Sequence, residues 1–351
     1  MIDKMFLFRT DLRIYEDYHY CKTYKEFKQK CWDFYINQGL WALENNVLHE
    51  FVVWRLKPKN NIIDVPSFTL DNGNIFKQIF VDSFEEIYQM NYGKVLLGFF
   101  RGGFKCYDLF VNKKFSKIPS TVIKNKIYCG SGCRIFPEYC GSYDVYLLES
   151  EKDLNSYFNC CYFYKTANPN IFYNMNIPEK KYDICFPANF SSIKYKGQRF
   201  FIQEISKSKF LKSLNIVSVG NNVKDGKKIC QEYNVNNITF LGHLNREGVN
   251  EILNQSKFGL VCSNANDGCP RVISEILCSG TPLIIRNKTR LLQYYKKYGV
   301  IEFSDDNFSN RVKKAFSKYK QLKKDLNNNI NRFSMNTICM KNFDIWYKKS
   351  K

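Results

Sequence analysis

The most constraining feature of this chain is a regular alternation of short apolar runs with amphipathic stretches of helical spacing. In the first half, "KMFLFR", "VLHEFVVWRL" and "KVLLGFFRGG" read as strands. Helical "YKEFKQKCWDFYINQGLW" and "FVDSFEEIYQMNY" lie between them, and "NKIYCGSG" and "YDVYLLES" read as further strands before the helix "EKDLNSYF". A polar link, "NMNIPEKK", follows, and the pattern restarts. "YDICFPAN", "LNIVSVG", "ITFLG" and "FGLVCS" are strands, separated by helical "GQRFFIQEISKS", "KDGKKICQEY" and "NREGVNEILNQS". Strands alternating with helices build parallel sheets from βαβ units. Two such runs in 351 residues predict an α/β chain of two Rossmann-like halves with a cleft between them. Ligands of such sheets sit at the carboxyl ends of the strands.

The charge narrows the partner. The net charge is +20, most of it in the second half, and residues 311–351 hold 12 basic side chains against 2 acidic ones. That asymmetry suits an anionic partner: nucleic acid, a membrane surface or a phosphorylated small molecule. It also suits a solvated basic tail helix. No interleaved aromatic and basic motif of a nucleic-acid binder is present, so nucleic acid is not the expected partner. The start, "MIDKMFLFRTDLRIYEDYHY", lacks the pattern of a secretory signal, and no run approaches the ~18–20 apolar residues of a membrane span. The fourteen cysteines therefore read as reduced and mostly buried, and the expected location is cytoplasmic. Cys129, Cys133 and Cys140 lack the close pairing and the nearby His of a zinc site, so no metal is expected.

The chemistry concentrates in "NDGCPRVISEILCSGTPLII", Asn266 to Ile285. "FGLVCS" is the strand before it and "NANDGCP" the loop at its carboxyl end. Pro270 suits the first helical position, Ile273 and Leu277 are spaced to face the core, and Gly280 suits the C-terminal cap. The backbone amides from Cys269 to Ile273 then stand at a helix N-terminus, where they favour an anion such as phosphate. Asp267 and Glu275 flank that place. Their carboxylates suit paired hydroxyls of a sugar or ribose, or they serve only to stabilise their own helix.

The stretch resembles the donor-site signature of GT-B glycosyltransferases of the large retaining family 4, the glycosyl transferases group 1. The family pattern is an acid, seven residues, then Glu, with Gly and Pro inside. Asp267 stands where Glu is usual; Gly268, Pro270, Glu275, Gly280 and Pro282 fall in place. Upstream, "KYKGQRFFIQEI" resembles the family's Lys-Gly motif at Lys196 and Gly197. "LNIVSVGNN" resembles the strand ending at Gly220, and "NNITFLGHLNREGVNEILNQSKFGLVCS" resembles the segment around Gly242 and Leu244.

The resemblance covers roughly residues 181–300. It implies a GT-B fold: an N-terminal acceptor domain over 1–175, a donor domain over 181–325, and a basic helix over 326–351 packing back on the first domain. It implies a retaining, metal-independent glycosyltransferase of the hexosyltransferase type with no cofactor beyond the nucleotide-sugar co-substrate. The implied acceptor is a glycan or a lipid-linked sugar, which together with the basic tail suits a peripheral contact with an anionic membrane.

Roles follow from the same resemblance. Glu275 would bind the ribose and Asp267 the donor sugar. The amides of Arg271, Val272 and Ile273 would hold the diphosphate, and Lys196 would neutralise the departing diphosphate. Gly220 would let backbone approach the ligand, and the loop after Gly242 would meet the base. Ser191 stands where the family usually has an Arg, and none of His19, His49 and His243 matches the family's late His. Those departures keep a second reading open, a non-catalytic nucleotide-sugar or glycan-binding protein on the same fold. In the first half, Arg101, Gly102 and Gly103 follow a strand on the expected cleft side and suit acceptor or phosphate contact, or a tight turn that needs glycine.

Overall fold

The computed structural model describes residues 2–9, 21–31, 33–56, 67–81, 95–102, 123–130, 145–148, 159–190, 196–264, 270–289 and 293–349. The chain divides into two compact units. The first comprises Met1–Leu148, Lys152–Tyr164 and Ile338–Lys351; the second comprises Glu149–Glu151 and Lys165–Thr337.

In the first unit the described elements are β1 (Ile2–Arg9), α1 (Tyr24–Lys30), α2 (Phe34–Glu44), β2 (Leu48–Leu56), β3 (Phe68–Thr69), β4 (Ile75–Val81), β5 (Val95–Gly102), β6 (Ile123–Gly130), β7 (Val145–Leu148) and β8 (Cys160–Tyr162). The strands form one sheet in the order β3-β4-β2-β1-β5-β6-β7-β8. Its pairs are parallel except β3 with β4. The order reverses between β1 and β5. There the register sets Arg9 beside Arg55 on one neighbour and Arg101 on the other, so three arginines share one rung at the carboxyl ends.

The long helical stretch expected over residues 24–41 is two helices. Asp33 interrupts it: its carboxylate accepts from the amides of Tyr35 and Ile36 and starts α2 afresh. Every residue of α2 from Phe34 to Leu43 is buried, as expected for a helix apolar nearly all round. Gly39 lets it lie against β2, since a Cβ there would stand 2.2 Å from the Phe51 ring. The expected helix "FVDSFEEIYQMNY" begins on the last residues of β4, and its remainder lies outside the described residues, as does "EKDLNSYF". His49 is in β2 and bonds Asn74 through Nδ1 at 2.9 Å, a structural place.

In the second unit the order is β9 (Tyr182–Pro187), α3 (Gln198–Lys207), α4 (Lys209–Lys212), β10 (Ile216–Val219), α5 (Val223–Glu232), β11 (Ile238–Gly242), α6 (Arg246–Asn254), β12 (Ser256–Val261), α7 (Arg271–Cys278), β13 (Leu283–Arg286), α8 (Gln293–Lys296), β14 (Val300–Phe303), α9 (Phe308–Ser317) and α10 (Tyr319–Asn329); only the first residues of α11 (Met335–Lys349) belong to it. The sheet runs β11-β10-β9-β12-β13-β14, all parallel. Ile184, Phe258, Leu260 and Ile284 of the strands pack against Phe201 and Ile205 of α3 and Val312 of α9. Burying each such side chain contributes about 1.5–3 kcal/mol.

The long stretch of this unit begins at Lys165, ahead of the polar link. The Tyr295 hydroxyl clasps the Lys165 backbone on both its amide and its carbonyl. Asn254 bonds the carbonyl of Tyr173 at 3.0 Å and the amide of Met175 at 2.8 Å.

The basic stretch after residue 305 is likewise two helices, α9 and α10, parted at Lys318. From Ile338 onward α11 belongs to the first unit. There the Asn342 side chain bonds both the amide and the carbonyl of Tyr164 and donates to Gln38 at 2.8 Å. Trp346 stacks on Phe163, and Phe343 stacks on Trp41. Among the described residues no helix is long and apolar enough to cross a membrane.

Candidate functional site

The strand order of the second unit runs outward from β9 through β10 and β11, and the other way through β12, β13 and β14. Such a switch point opens a crevice beyond the carboxyl ends of the strands. A cleft of about 320 Å³ lies there. Its floor is the ends of four strands: Pro187 to Asn189 at the end of β9 and just beyond it, Val219 to Asn221 likewise on β10, His243 and Leu244 after β11, and Leu260 to Ser263 on β12 and just beyond it. Lys196, Arg246 and the start of α7 close the sides, with Pro270, Arg271, Val272 and Glu275 all on the lining.

The structure thus brings together Lys196, Gly220, Leu244, Pro270, Arg271, Val272 and Glu275. Gly197, Gly242 and Ile273 do not line the cleft. Ile273 is fully buried and its amide donates to the Pro270 carbonyl at 3.1 Å, so Arg271 and Val272 are the candidate amide donors. Asp267 and Gly268 lie outside the described residues, as does Gly103. Arg101 and Gly102 end β5 in the first unit.

Two glycines shape the floor. Gly197 has φ +73°, and a Cβ on it would stand 2.2 Å from the Cys262 carbonyl oxygen. The loop carrying Lys196 can therefore close onto the end of β12. Gly220 has φ +148°, and its Cβ would stand 2.6 Å from the Ala188 carbonyl oxygen. Its amide donates to Gly242 at 2.8 Å, tying the ends of β10 and β11 together.

The helix α7 starts one residue later than its proline suggests. Pro270 is the N-cap, with ψ 134° still extended, and Arg271 is the first helical residue. A helix start leaves its first amides without intrahelical acceptors, and Arg271 and Val272 occupy those places. The far end closes on Gly280 at φ +67°: the Gly280 amide donates to Leu277 and the Thr281 amide to Ile276, a Schellman arrangement. Glu275 lies in the second turn, and its Oε1 accepts from Arg246 Nη1 at 2.9 Å.

Beyond β12, Arg286 at the end of β13 steadies the floor. It is buried against the Phe200 ring, donates to the Cys262 carbonyl at 3.4 Å, and makes two bonds of 2.6 Å to Asp305. Asp305 is thus an ion partner, and Asn307 occupies the N-cap position of α9 without a side-chain bond to the helix. Hydrogen bonding from Arg286, aided by Lys288, holds the Asp305 carboxyl down to about 2. A carboxyl lowered on folding stabilises the fold above the ordinary carboxylate range near ~3.9, and that contribution is lost as pH falls towards 2. Thermal melts should therefore show Asp305→Asn less stable than the wild type at pH 5–7, with the gap closing as pH falls to 2. A gap that stays constant would rule the linkage out.

Residues 168–333 match the family described as Glycosyl transferases group 1. The match falls within the second unit. The fold around it agrees. A glycosyltransferase from Rickettsia africae ESF-5 is 13% identical, with TM-score 0.68, covering 100% of this chain and 99% of that one. Sucrose-phosphate synthase from Thermosynechococcus elongatus is 13% identical, with TM-score 0.66, covering 99% and 98%. HepE from Anabaena, solved with UDP and glucose, is 11% identical, with TM-score 0.64, covering 99% and 100%. At such identities the likeness establishes the GT-B fold. None of the curated proteins compared gives a match to this sequence.

The cleft also holds residues that sequence reasoning passed over. His243 follows Gly242 directly and lines the cleft; its place after a strand-end glycine was the available signal. Arg246 had no sequence signal, because its partner lies 29 residues away on another helix.

Proposed function

We propose that the chain is a retaining, metal-independent glycosyltransferase. It moves a hexose from a nucleotide-sugar to a hydroxyl of a glycan or lipid-linked acceptor. The observation that carries this reading is the convergence on one switch-point cleft of Lys196, the N-terminal amides of α7 and Glu275. In the reaction the acceptor oxygen forms a bond to the anomeric carbon as the bond from that carbon to the diphosphate oxygen breaks. The acceptor hydroxyl passes its proton to the departing diphosphate oxygen, on which negative charge builds as the bond to the sugar breaks. A fixed cation and oriented amides stabilise that charge without having to reorganise. Lys196 and the amides of Arg271 and Val272 take that role. Glu275 takes the ribose, Leu244 and the loop after Gly242 meet the base, and Asp267 is the candidate for the donor sugar. Arg101 and its neighbouring glycines are the acceptor-side candidates. The basic tail suits a peripheral contact with an anionic membrane.

UDP is the first nucleotide to try, since HepE is solved with UDP and with UDP-glucose. The chain is incubated with UDP-, GDP- and ADP-sugars, and release of the nucleoside diphosphate is followed. Release with at least one donor, above its rate without protein, is the expected result. Binding of a nucleotide-sugar with no release under any acceptor would favour a non-catalytic binding protein. The absence of the family's usual Arg at Ser191 keeps that second reading in play.

A further inference from the structure

Helices α6 and α7 are joined by a ladder of polar contacts that rises to the cleft. At its foot, Asn254 donates to the carbonyl and the side-chain oxygen of Asn250, one turn up α6. In the middle, the Ser279 hydroxyl donates to Asn250 Oδ1 at 2.6 Å and lies 2.8 Å from the Glu275 carbonyl. Asn250, Asn254 and Ser279 are all buried. At the top, one turn above Asn250 and one turn above Ser279, stand Arg246 and Glu275. Both line the cleft, and their bond is Arg246 Nη1 to Glu275 Oε1.

The geometry points to Arg246 as a positioning residue that sets the Glu275 carboxylate for the nucleotide's ribose. This rests on the reading of the cleft as the donor site. Arg246 is the first residue of α6, and its backbone is fixed by the Asn245 cap, whose side chain accepts from Gly248 at 2.8 Å. The buried Asn250–Ser279 bond fixes the register of the two helices below it. The guanidinium therefore meets the carboxylate from a set direction. The contact uses one oxygen of Glu275, and a carboxylate has about four lone-pair sites, which leaves acceptor capacity for two vicinal hydroxyls. The Glu275 side chain is 12% exposed against 34% for Arg246, so the guanidinium reaches a mostly buried carboxylate from the more open side of the cleft wall. Arg246 thus acts through Glu275 and leaves the phosphates to Lys196 and the α7 amides.

Calorimetry on the full chain tests this with whichever of UDP, GDP and ADP binds the wild type most tightly, together with its parent nucleoside. Arg246→Met is expected to weaken both by about tenfold, and by the same factor, because the ribose is common to both. Arg246→Lys should recover part of the loss. In a Glu275→Gln background, Arg246→Met should change affinity less than twofold. Wild-type affinity or tighter binding in Arg246→Met overturns the proposal, since the pair would then be a mere brace or a competitor. A loss confined to the diphosphate, or an equal loss in both backgrounds, also overturns it by making Arg246 a direct phosphate ligand. If the wild type binds none of the three nucleotides, the donor-site reading itself fails and takes the proposal with it. Unchanged melting temperatures of the variants separate these outcomes from misfolding.

Discussion

Glu275→Ala is expected to raise the dissociation constant for the nucleotide-sugar at least 100-fold. Hydrogen bonds to a charged group contribute about 1.5–3 kcal/mol each, and the carboxylate would receive two from a ribose. At 1.4 kcal/mol per factor of ten, the combined loss spans about two to four decades. Glu275 is well placed for this role: it lines the cleft, its side chain is only 12% exposed, and Arg246 holds one of its oxygens. Glu275→Gln separates charge from size, because the amide keeps one acceptor oxygen and should lose less than Ala does. The Ala variant also takes from Arg246 its partner at 2.9 Å, so melting temperature must be read beside affinity. Unchanged affinity in a folded Glu275→Ala protein would sink the donor-site assignment.

The second large effect is kinetic. Lys196→Ala should lower kcat by about 10²–10³, the size found when one donor to a developing charge is removed. Lys196 lines the cleft next to Gly197, whose close approach to Cys262 fixes where the lysine backbone sits. The donor KM should rise far less than kcat falls if the lysine meets charge that appears mainly in the transition state. Lys196→Arg keeps the charge with a different shape and should fall between the two. A kcat within threefold of wild type for Lys196→Ala would remove the lysine from the mechanism.

Much of the second unit was legible in sequence because its apolar runs end in glycines that mark loops. β10 and β11 stop at Gly220 and Gly242, and the helix after Pro270 closes on Gly280. Such local punctuation survives without knowledge of the fold. Contacts between helices do not, and so the Arg246–Glu275 pair stayed hidden. Ile273 was placed among the amide donors because counting from a helix start does not reveal which amide closes a turn onto Pro270. In the first unit β4 escaped notice, since Lys77 and Gln78 interrupt its apolar run. In the sheet Lys77 reaches Glu50 at 2.9 Å, and Gln78 is buried. The break at Asp33 was similarly disguised, because an acid inside a helical pattern reads as a polar face until its burial is known.

The order of synthesis gives the chain's end a role of its own. The second unit is almost one continuous stretch, Lys165–Thr337, while the first needs Ile338–Lys351 from the far end. A ribosome therefore delivers all of the later unit before the earlier one receives Asn342 and Trp346, which bond Tyr164 and stack on Phe163. Until then Gln38 and Trp41 await their partners on α11. The half of the protein that emerges first is thus the half completed last, and a nascent chain stalled before Ile338 would expose that apolar surface to chaperones and proteases.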